Sequence, residues 1–545
     1  MIWCRRMGWG FAWLCTLAGL VGCGPSERAD DGVCTGCDVI LITVDTLRAD
    51  AVGVYGPIAG QTPTPKIDEL ARRGLVFTQA VAPMPRTTPS LASLLSGRSP
   101  KHHGSREVGQ VLADDVPLLA EVLRRVDVFR STGSGPYLTV GVTGNRAAAA
   151  PQGLDRGFDA FHLVPGDKPS AEEVTDAALR LLRGTLLPQA ETGSSRPLFL
   201  WVHYVDPHFP YTPPGFEPDA CTDAMQVYER NAAFVFVDQD GVSSRALEDC
   251  ARRYHAEVAR ADREIRRLLE GLHEMGRPVE QSLLVFTSDH GENLGEDGLF
   301  YEHGPSLHDA SIRIPLIVTG PGLEPGRKDG VVELQDVMPT LLTMVGVRPD
   351  AWPPMDGRDL ADSWLGSRRE SEGQDQDIVA FAESNSSLHI RVWNAVVAGR
   401  FDRHCVHRGR WSLCGSEDDL DAFQLFDHEA DPMLEKDLTP QHPEVVERLR
   451  RQREQWPPET ARARAVRGPR FKLVETPDPA GGYVRRLFDL LEDPEETRDV
   501  STKHAEVAAV LGRLLDEYVA DLPAPGQVAR DEEDLRALRA LGYIE

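Results

Sequence analysis

Two carboxylates, an imidazole and a hydroxyl occupy positions in this chain from which they could act together. Asp45 follows directly on the apolar, β-branched run Val39–Val44, and Asp289 and His290 come just after the run Leu283–Phe286. Between them in sequence lies Thr87, at the head of Thr87-Thr88-Pro89-Ser90 and of a small, Leu-rich segment that ends at Gly97. Two hard carboxylates and an imidazole converging at strand ends make a site for one divalent metal ion. Such an ion lowers the pKa of a neighbouring hydroxyl, which can then attack an ester. A third run, Leu198–Val202, leads into His203, Asp206 and His208, and His303 stands later in Tyr301-Glu302-His303-Gly304. Each piece alone is weak, since an Asp after a strand is often a turn or cap residue. Their combination singles them out.

The elements that must position these groups can be read from the same runs. Continuous apolar stretches rich in β-branched residues suit strands buried on both faces of a parallel sheet. They recur at Val39–Val44, Leu198–Val202, Leu283–Phe286 and Ile314–Val318. Helical patterns fall between or before them at Pro65–Arg73, Val116–Arg125, Ala171–Leu187 and Leu247–Met275. This alternation predicts an α/β sandwich around a mostly parallel sheet, with ligands gathered beyond the carboxyl ends of the strands. Composition shifts at 364–377, a polar linker, and a weak internal duplication follows. Gln424-Leu425-Phe426-Asp427-His428-Glu429-Ala430-Asp431-Pro432 is echoed by Arg486-Leu487-Phe488-Asp489-Leu490-Leu491-Glu492-Asp493-Pro494. Each copy follows a strand-like segment (Val392–Val397; Phe471–Val474) and precedes a helical one (Pro443–Gln455; Ala505–Leu522). The expected role is structural, an Asp-Pro turn that stops a strand and starts a helix.

The stretch Ala82–Gly97 resembles the nucleophile segment of the sulfatase family in the alkaline-phosphatase superfamily, whose pattern is Cys or Ser, any residue, Pro, Ser, Arg. Thr87 falls on the Cys/Ser position and Leu91 on the Arg position. The resemblance extends over Asp38 to Pro354 through Asp45 and Asp289-His290. It implies a three-layer sandwich with a smaller C-terminal antiparallel α+β subdomain, and a metal bound by Asp45, Thr87, Asp289 and His290. Family members oxidise the Cys or Ser to formylglycine; a secondary alcohol yields no aldehyde, so formylglycine is not expected here. Thr46 stands where the family has a second aspartate, which makes a calcium site of the sulfatase kind less expected. The pattern does not otherwise distinguish calcium, magnesium, manganese and zinc. By the same resemblance His208 contacts the sulfate or phosphate group, and His303 assists the departing oxygen. Asp206, His208 and His303 could complete a second metal site, as in two-metal superfamily members. The family's middle Lys/His motif has no clear match, and Thr143-Gly144-Asn145 lies where it would be.

These features point to a metal-dependent hydrolase or transferase with Thr87, His208 and His303 as catalytic groups. A threonine phosphoester can be opened by attack of water or an alcohol at phosphorus, whereas a sulfoester lacks the formylglycine route. Phosphate esters are therefore favoured over sulfate esters. The rivals are a true sulfatase acting on sulfated glycans, and a degenerate member that only binds anionic glycan or lipid headgroups.

The N-terminus reads as a processing signal. Arg5 and Arg6 precede the apolar stretch Gly8–Val21, and Leu20-Val21-Gly22-Cys23 is a lipobox that places lipid on Cys23. The expected organisation is signal 1–22, tether 23–37, catalytic domain 38–363, linker 364–377, C-terminal subdomain 378–522 and tail 523–545, held at the bacterial envelope in the periplasm or on the outer membrane. Six further cysteines in an exported chain suggest disulfides, and proximity favours Cys34–Cys37, Cys221–Cys250 and Cys405–Cys414. With 59 basic and 85 acidic residues, a formal charge of -26, the chain lacks the basic surface that nucleic-acid binding requires.

Overall fold

The computed structural model describes residues 34–56, 64–106, 110–125, 136–192, 196–231, 235–236, 242–301, 303–304, 306–366, 379–384, 391–392, 404–408, 411–415, 424–427, 436–447, 462–477 and 482–520. Cys23, the signal, most of the 364–377 linker and the 523–545 tail lie outside them. Among the described residues no helix is long and apolar enough to cross a membrane.

Strand β1 (Val39–Val44) is wholly buried, and its side chains alternate between two cores. Ile40, Ile42 and Val44 enter one hydrophobic cluster, while Val39 and Leu41 enter another on the opposite face. This two-sided burial is why the strand reads as an unbroken apolar run. The remaining strands in chain order are β2 (Leu75–Val81), β3 (Leu138–Thr143), β4 (Ala160–Leu163), β5 (Leu198–Tyr204), β6 (Val235–Phe236), β7 (Leu283–Ser288), β8 (Leu299–Phe300), β9 (Arg313–Thr319) and β10 (Gly326–Glu333). β6 and β8 form a small ribbon, and the others join β1 in one sheet of order β10-β2-β9-β7-β1-β5-β3-β4. β9 runs antiparallel to both neighbours and the other strands are mutually parallel.

One face is covered by α1 (Pro65–Arg73), α5 (Ala171–Thr192) and α7 (Ser244–Glu274). The other carries α2 (Thr87–Ser96), α4 (Leu119–Leu123) and α9 (Val337–Met344). Short helices α3 (Pro100–His103), α6 (Ala220–Asn231), α8 (Asp309–Ile312) and α10 (Ala361–Trp364) fill the connections. The three-layer sandwich places the carboxyl ends of β1, β2, β3, β5 and β7 along one edge, where the candidate residues follow.

Beyond it lie β11 (Ala380–Glu383), β12 (Arg391–Val392), β13 (His404–Arg408), β14 (Trp411–Gly415), β15 (Gln424–Asp427), β16 (Arg464–Arg467), β17 (Phe471–Pro477) and β18 (Tyr483–Asp489). They make two antiparallel sheets of four strands, β12-β13-β14-β15 and β11-β16-β17-β18. Each copy of the duplicated Leu-Phe-Asp ends the last strand of one of these sheets, at Asp427 and Asp489.

Cys34–Cys37 and Cys221–Cys250 form disulfides, the second tying α6 to α7. Cys405 lies opposite Cys414 in the β13–β14 register, and the side chains of that third pair fall outside the described residues.

Candidate active site

Sheet geometry brings the separate sequence signals to one place. Asp45 leaves β1, Asp289 and His290 leave β7, and one ligand atom from each lies within 4.8 Å of the others. All three are fully buried. The β1 turn is shaped to meet β7: Thr46 takes a left-handed φ of 52°, which costs a β-branched residue about 1–3 kcal/mol. Its N–H donates to Asp289 Oδ1 at 3.2 Å, and the next N–H, of Leu47, donates to Ser288 Oγ at 3.0 Å. Tyr254 clamps the turn by donating to Thr46 O at 2.8 Å and accepting from Arg48 N at 3.0 Å.

Thr87 opens α2, where the positive end of the helix dipole favours an oxyanion. Pro89 is harmless in this first turn, and Gly97 closes the helix at φ 66°. The Thr87 hydroxyl lies 3.3 Å from His290 Nε2. Because His290 Nδ1–H donates to Gly291 O at 2.9 Å, Nε2 presents its lone pair to Thr87 and the carboxylates. Thr88 turns away and donates to Ala147 O at 2.7 Å. Leu91, at the arginine position of the pattern, is a core residue packed with Leu94 and Leu95.

His208 and His303 reach the same cleft, their rings 5.5 Å apart, and His303 stacks on His290 at 4.5 Å. Arg86 donates to His303 Nε2 at 3.2 Å, so His303 must carry its proton on Nδ1, which donates to Glu292 Oε1 at 2.8 Å. Tyr211 donates to Glu292 Oε2 at 2.5 Å and completes the row. His208 Nδ1–H donates to Phe209 O at 2.6 Å. Burial is the main force on the histidines: it pushes His208 and His290 down to about 4, against the pull of Asp45. His303 is lowered further, by burial and then by the nearby imidazoles and Arg86. The carboxylates split. Burial works to raise Asp45, but His208, His203 and His290 outweigh it and hold Asp45 below its usual range. Burial and the Asp45 charge hold Asp289 well above.

The residues fit a divalent cation. Asp289 Oδ2 is buried without a hydrogen-bond partner, facing a second carboxylate and a neutral imidazole in a donor set of two hard oxygens and one nitrogen. The suggested second site does not form. Asp206 is spent on Ala171 N, at 2.8 Å at the start of α5, and on Lys168 and Arg260 at 3.6 and 3.7 Å. Among the described residues it joins no metal-holding group with His208 and His303.

Three neighbours, Arg86, Asn145 and Glu292, carry no role in the sequence reading, and His203, singled out there, joins them. Arg86 was hidden in plain view, beside Thr87. Asn145 stands where the family's middle motif has no match, and its Nδ2 donates to Asp45 Oδ2 at 2.5 Å. Glu292, two residues after His290, holds His303. His203 Nε2 lies 3.6 Å from Asp45 Oδ2 while its Nδ1 meets Thr43 Oγ1 at 2.9 Å. His308 caps α8, and His102 pairs at the surface with Asp356.

His103 is a core residue, accepting from Ser105 N at 3.1 Å and meeting Ser93 Oγ of α2 at 3.0 Å. Burial lowers its pKa from 6.5 to about 3. The unfolded chain therefore binds a proton below 6.5 that the folded chain refuses until about 3. Stability should fall with falling pH across that window by about 1.4 kcal/mol per unit from this group. In His103→Gln the slope of unfolding free energy against pH should be shallower by that amount; equal slopes would refute the assignment.

The sulfatase family model matches residues 38–347. A relative, choline-sulfatase of Rhizobium meliloti (strain 1021), is 25% identical over 439 residues, 73% of this chain and 81% of that one. Phosphonate monoester hydrolase of Agrobacterium radiobacter superposes with a TM-score of 0.57 at 21% identity, over 89% of this chain and 95% of that one. BT4656, solved with its substrate D-glucosamine-2-N,6-O-disulfate, superposes with a TM-score of 0.59 at 16% identity, over 90% and 98%. At these identities the structural likeness is one of fold.

Proposed function

Because the chain belongs to the sulfatase family, ester hydrolases of the alkaline-phosphatase superfamily, we propose that it cleaves phosphate esters, ahead of sulfate esters, with the unmodified Thr87 hydroxyl as nucleophile. The observation that carries this reading is the Thr87 hydroxyl itself, at the first turn of α2 and 3.3 Å from His290 Nε2. A divalent cation held by Asp45, Asp289 and His290 would supply Lewis-acid charge that activates the hydroxyl and neutralises developing negative charge. Arg86 and the α2 N-terminus face the anionic oxygens. Thr87 Oγ1 gives up its proton to solvent and bonds to phosphorus as the bond to the leaving oxygen breaks. His303, its Nδ1–H fixed by Glu292, takes up a proton from solvent on Nε2 beside the bound anion and passes it to that oxygen. Water then attacks phosphorus, losing a proton to His303 Nε2, and the bond from phosphorus to Thr87 Oγ1 breaks as that oxygen regains a proton from solvent; an acceptor alcohol in place of water would make the reaction a transfer.

Similarity to choline-sulfatase and to an ulvan-active sulfatase of Formosa agariphila favours a second reading, sulfate esters including those of glycans, worked by the same hydroxyl. Turnover of p-nitrophenyl phosphate, bis(p-nitrophenyl) phosphate and p-nitrophenyl sulfate, each with magnesium, manganese, zinc and calcium, separates the two. A phosphate ester should be turned over fastest. Faster turnover of the sulfate moves the function to sulfatase, and no turnover of any supports a member that only binds anionic headgroups.

The lipobox at Leu20–Cys23 supports a lipid-anchored place at the envelope. In Cys23→Ser the protein should leave the membrane fraction or stay unprocessed; undiminished retention without lipid would refute the anchor.

A further inference from the structure

The segments that carry the reactive groups are backed by residues from far along the chain. After His303 and Gly304 the chain turns through Leu307–Asp309 into α8. Lys472 of β17 is completely buried there. Its ammonium donates to Leu307 O at 2.9 Å and Asp309 Oδ1 at 3.1 Å, and it also meets the Glu496 carboxylate. Arg467 of β16 grips Asp309 with two donors, at 3.0 and 2.7 Å. Glu496 Oε1 accepts from the Asp309 N–H at 2.8 Å. Two cations thus face two carboxylates in a desolvated seam.

The opposite side of the same turn touches the site. Ala310 O and Ser311 O accept from Glu292 N at 3.0 Å and Gly291 N at 2.8 Å, in the segment that holds Asp289 and His290. The approach is close enough that a Cβ on Gly291 would lie 1.9 Å from Ala310 O. Glu496 reaches the seam from a left-handed backbone, φ 51°, which a non-glycine residue adopts at a cost of about 1–3 kcal/mol. Asp493, in the second copy of the duplicated segment, builds that turn by accepting from Thr497 Oγ1 at 3.0 Å and Arg498 N at 2.7 Å. Buried charge is a weak way to join two domains, and apolar side chains of similar size often do as well or better. What a fully paired cluster supplies is register.

We infer that Lys472 is a positioning residue for the reaction. With Arg467 and Glu496 it fixes the Leu307–Asp309 turn, and through it His303 and the His290–Glu292 segment, so that the C-terminal subdomain completes the active site from outside. The inference rests on the reading of His303 as the group that protonates the leaving oxygen. A misplaced His303 matters most for a poor leaving group, which needs the proton, and least for a good one.

The test compares the p-nitrophenyl and phenyl esters of one phosphate diester in Lys472→Met, Lys472→Arg, Glu496→Gln and His303→Ala, with thermal unfolding and metal content measured alongside. Lys472→Met should lose about 10²-fold in kcat on the phenyl ester, several-fold less on the p-nitrophenyl ester, with KM little changed, and Lys472→Arg should recover most of the loss. If Lys472→Met does not fold, Glu496→Gln should show the same leaving-group pattern. Equal losses on both esters, or none, in a folded, metal-loaded variant would overturn the inference while the pattern persists in His303→Ala. Absence of the pattern in His303→Ala itself would overturn the reading beneath it as well.

Discussion

Thr87→Ala is expected to lower turnover of every ester substrate by ~10³-fold or more, with fold and bound metal unchanged. The side chain is buried in the cleft, and its hydroxyl meets His290 Nε2 at 3.3 Å. Thr87→Ser should keep a measurable fraction, because the hydroxyl remains while the methyl that restricts its rotamer is lost. Thr88 and Ser90 are built-in controls: their hydroxyls donate to Ala147 O at 2.7 Å and Met84 O at 2.5 Å. Thr88→Ala should cost about 1 kcal/mol of stability and little kcat. Steady-state kinetics on the three variants decides the matter, and a Thr88 effect equal to that of Thr87 would count against the assignment.

Asp289→Ala should abolish both activity and metal binding, and the second loss can be read without turnover. Asp289 is buried beside Asp45 and accepts from Thr46 N at 3.2 Å and His290 N at 2.8 Å, so the variant loses a ligand and an acceptor together. The parent alone should gain stability on metal addition, by about 2.7 kcal/mol at a hundredfold excess over Kd. Thermal unfolding with and without metal reads this independently of activity. Metal-dependent stabilisation that survives in Asp289→Ala would place the ion elsewhere.

Much of the frame was legible because strands buried on both faces leave a signature with few alternatives. Val39–Val44 and Pro65–Arg73 were read to the residue, and α5 and α7 to within a few. β2 and β3 were not, since Thr78 and Gln79 interrupt one and Gly141 the other. α4 begins at Leu119 rather than Val116, where Glu121 reaches back to cap Leu118 N at 2.8 Å. The antiparallel direction of β9 leaves no trace in its composition. At the site, residues directly after strands were readable because the fold itself aims them. Arg86, Asn145 and Glu292 were not, because what each does is set by a partner distant in sequence. Asp206 misled for the converse reason: it follows a strand, but the α5 N-terminus and two cations claim it. The Asp-Pro turn of the duplicated segment was read as structural, and its reach to Asp309 through Glu496 exists only in three dimensions.

The central claim, that an unmodified threonine takes up the transferred group, is tested most directly by mass spectrometry of the acid-quenched enzyme after incubation with bis(p-nitrophenyl) phosphate. The peptide holding Thr87 should carry a p-nitrophenylphosphoryl group, and fragmentation should place it on Thr87 and not on Thr88 or Ser90. A covalent adduct on another residue, or turnover with the Thr87 peptide unmodified at every quench time, would contradict it.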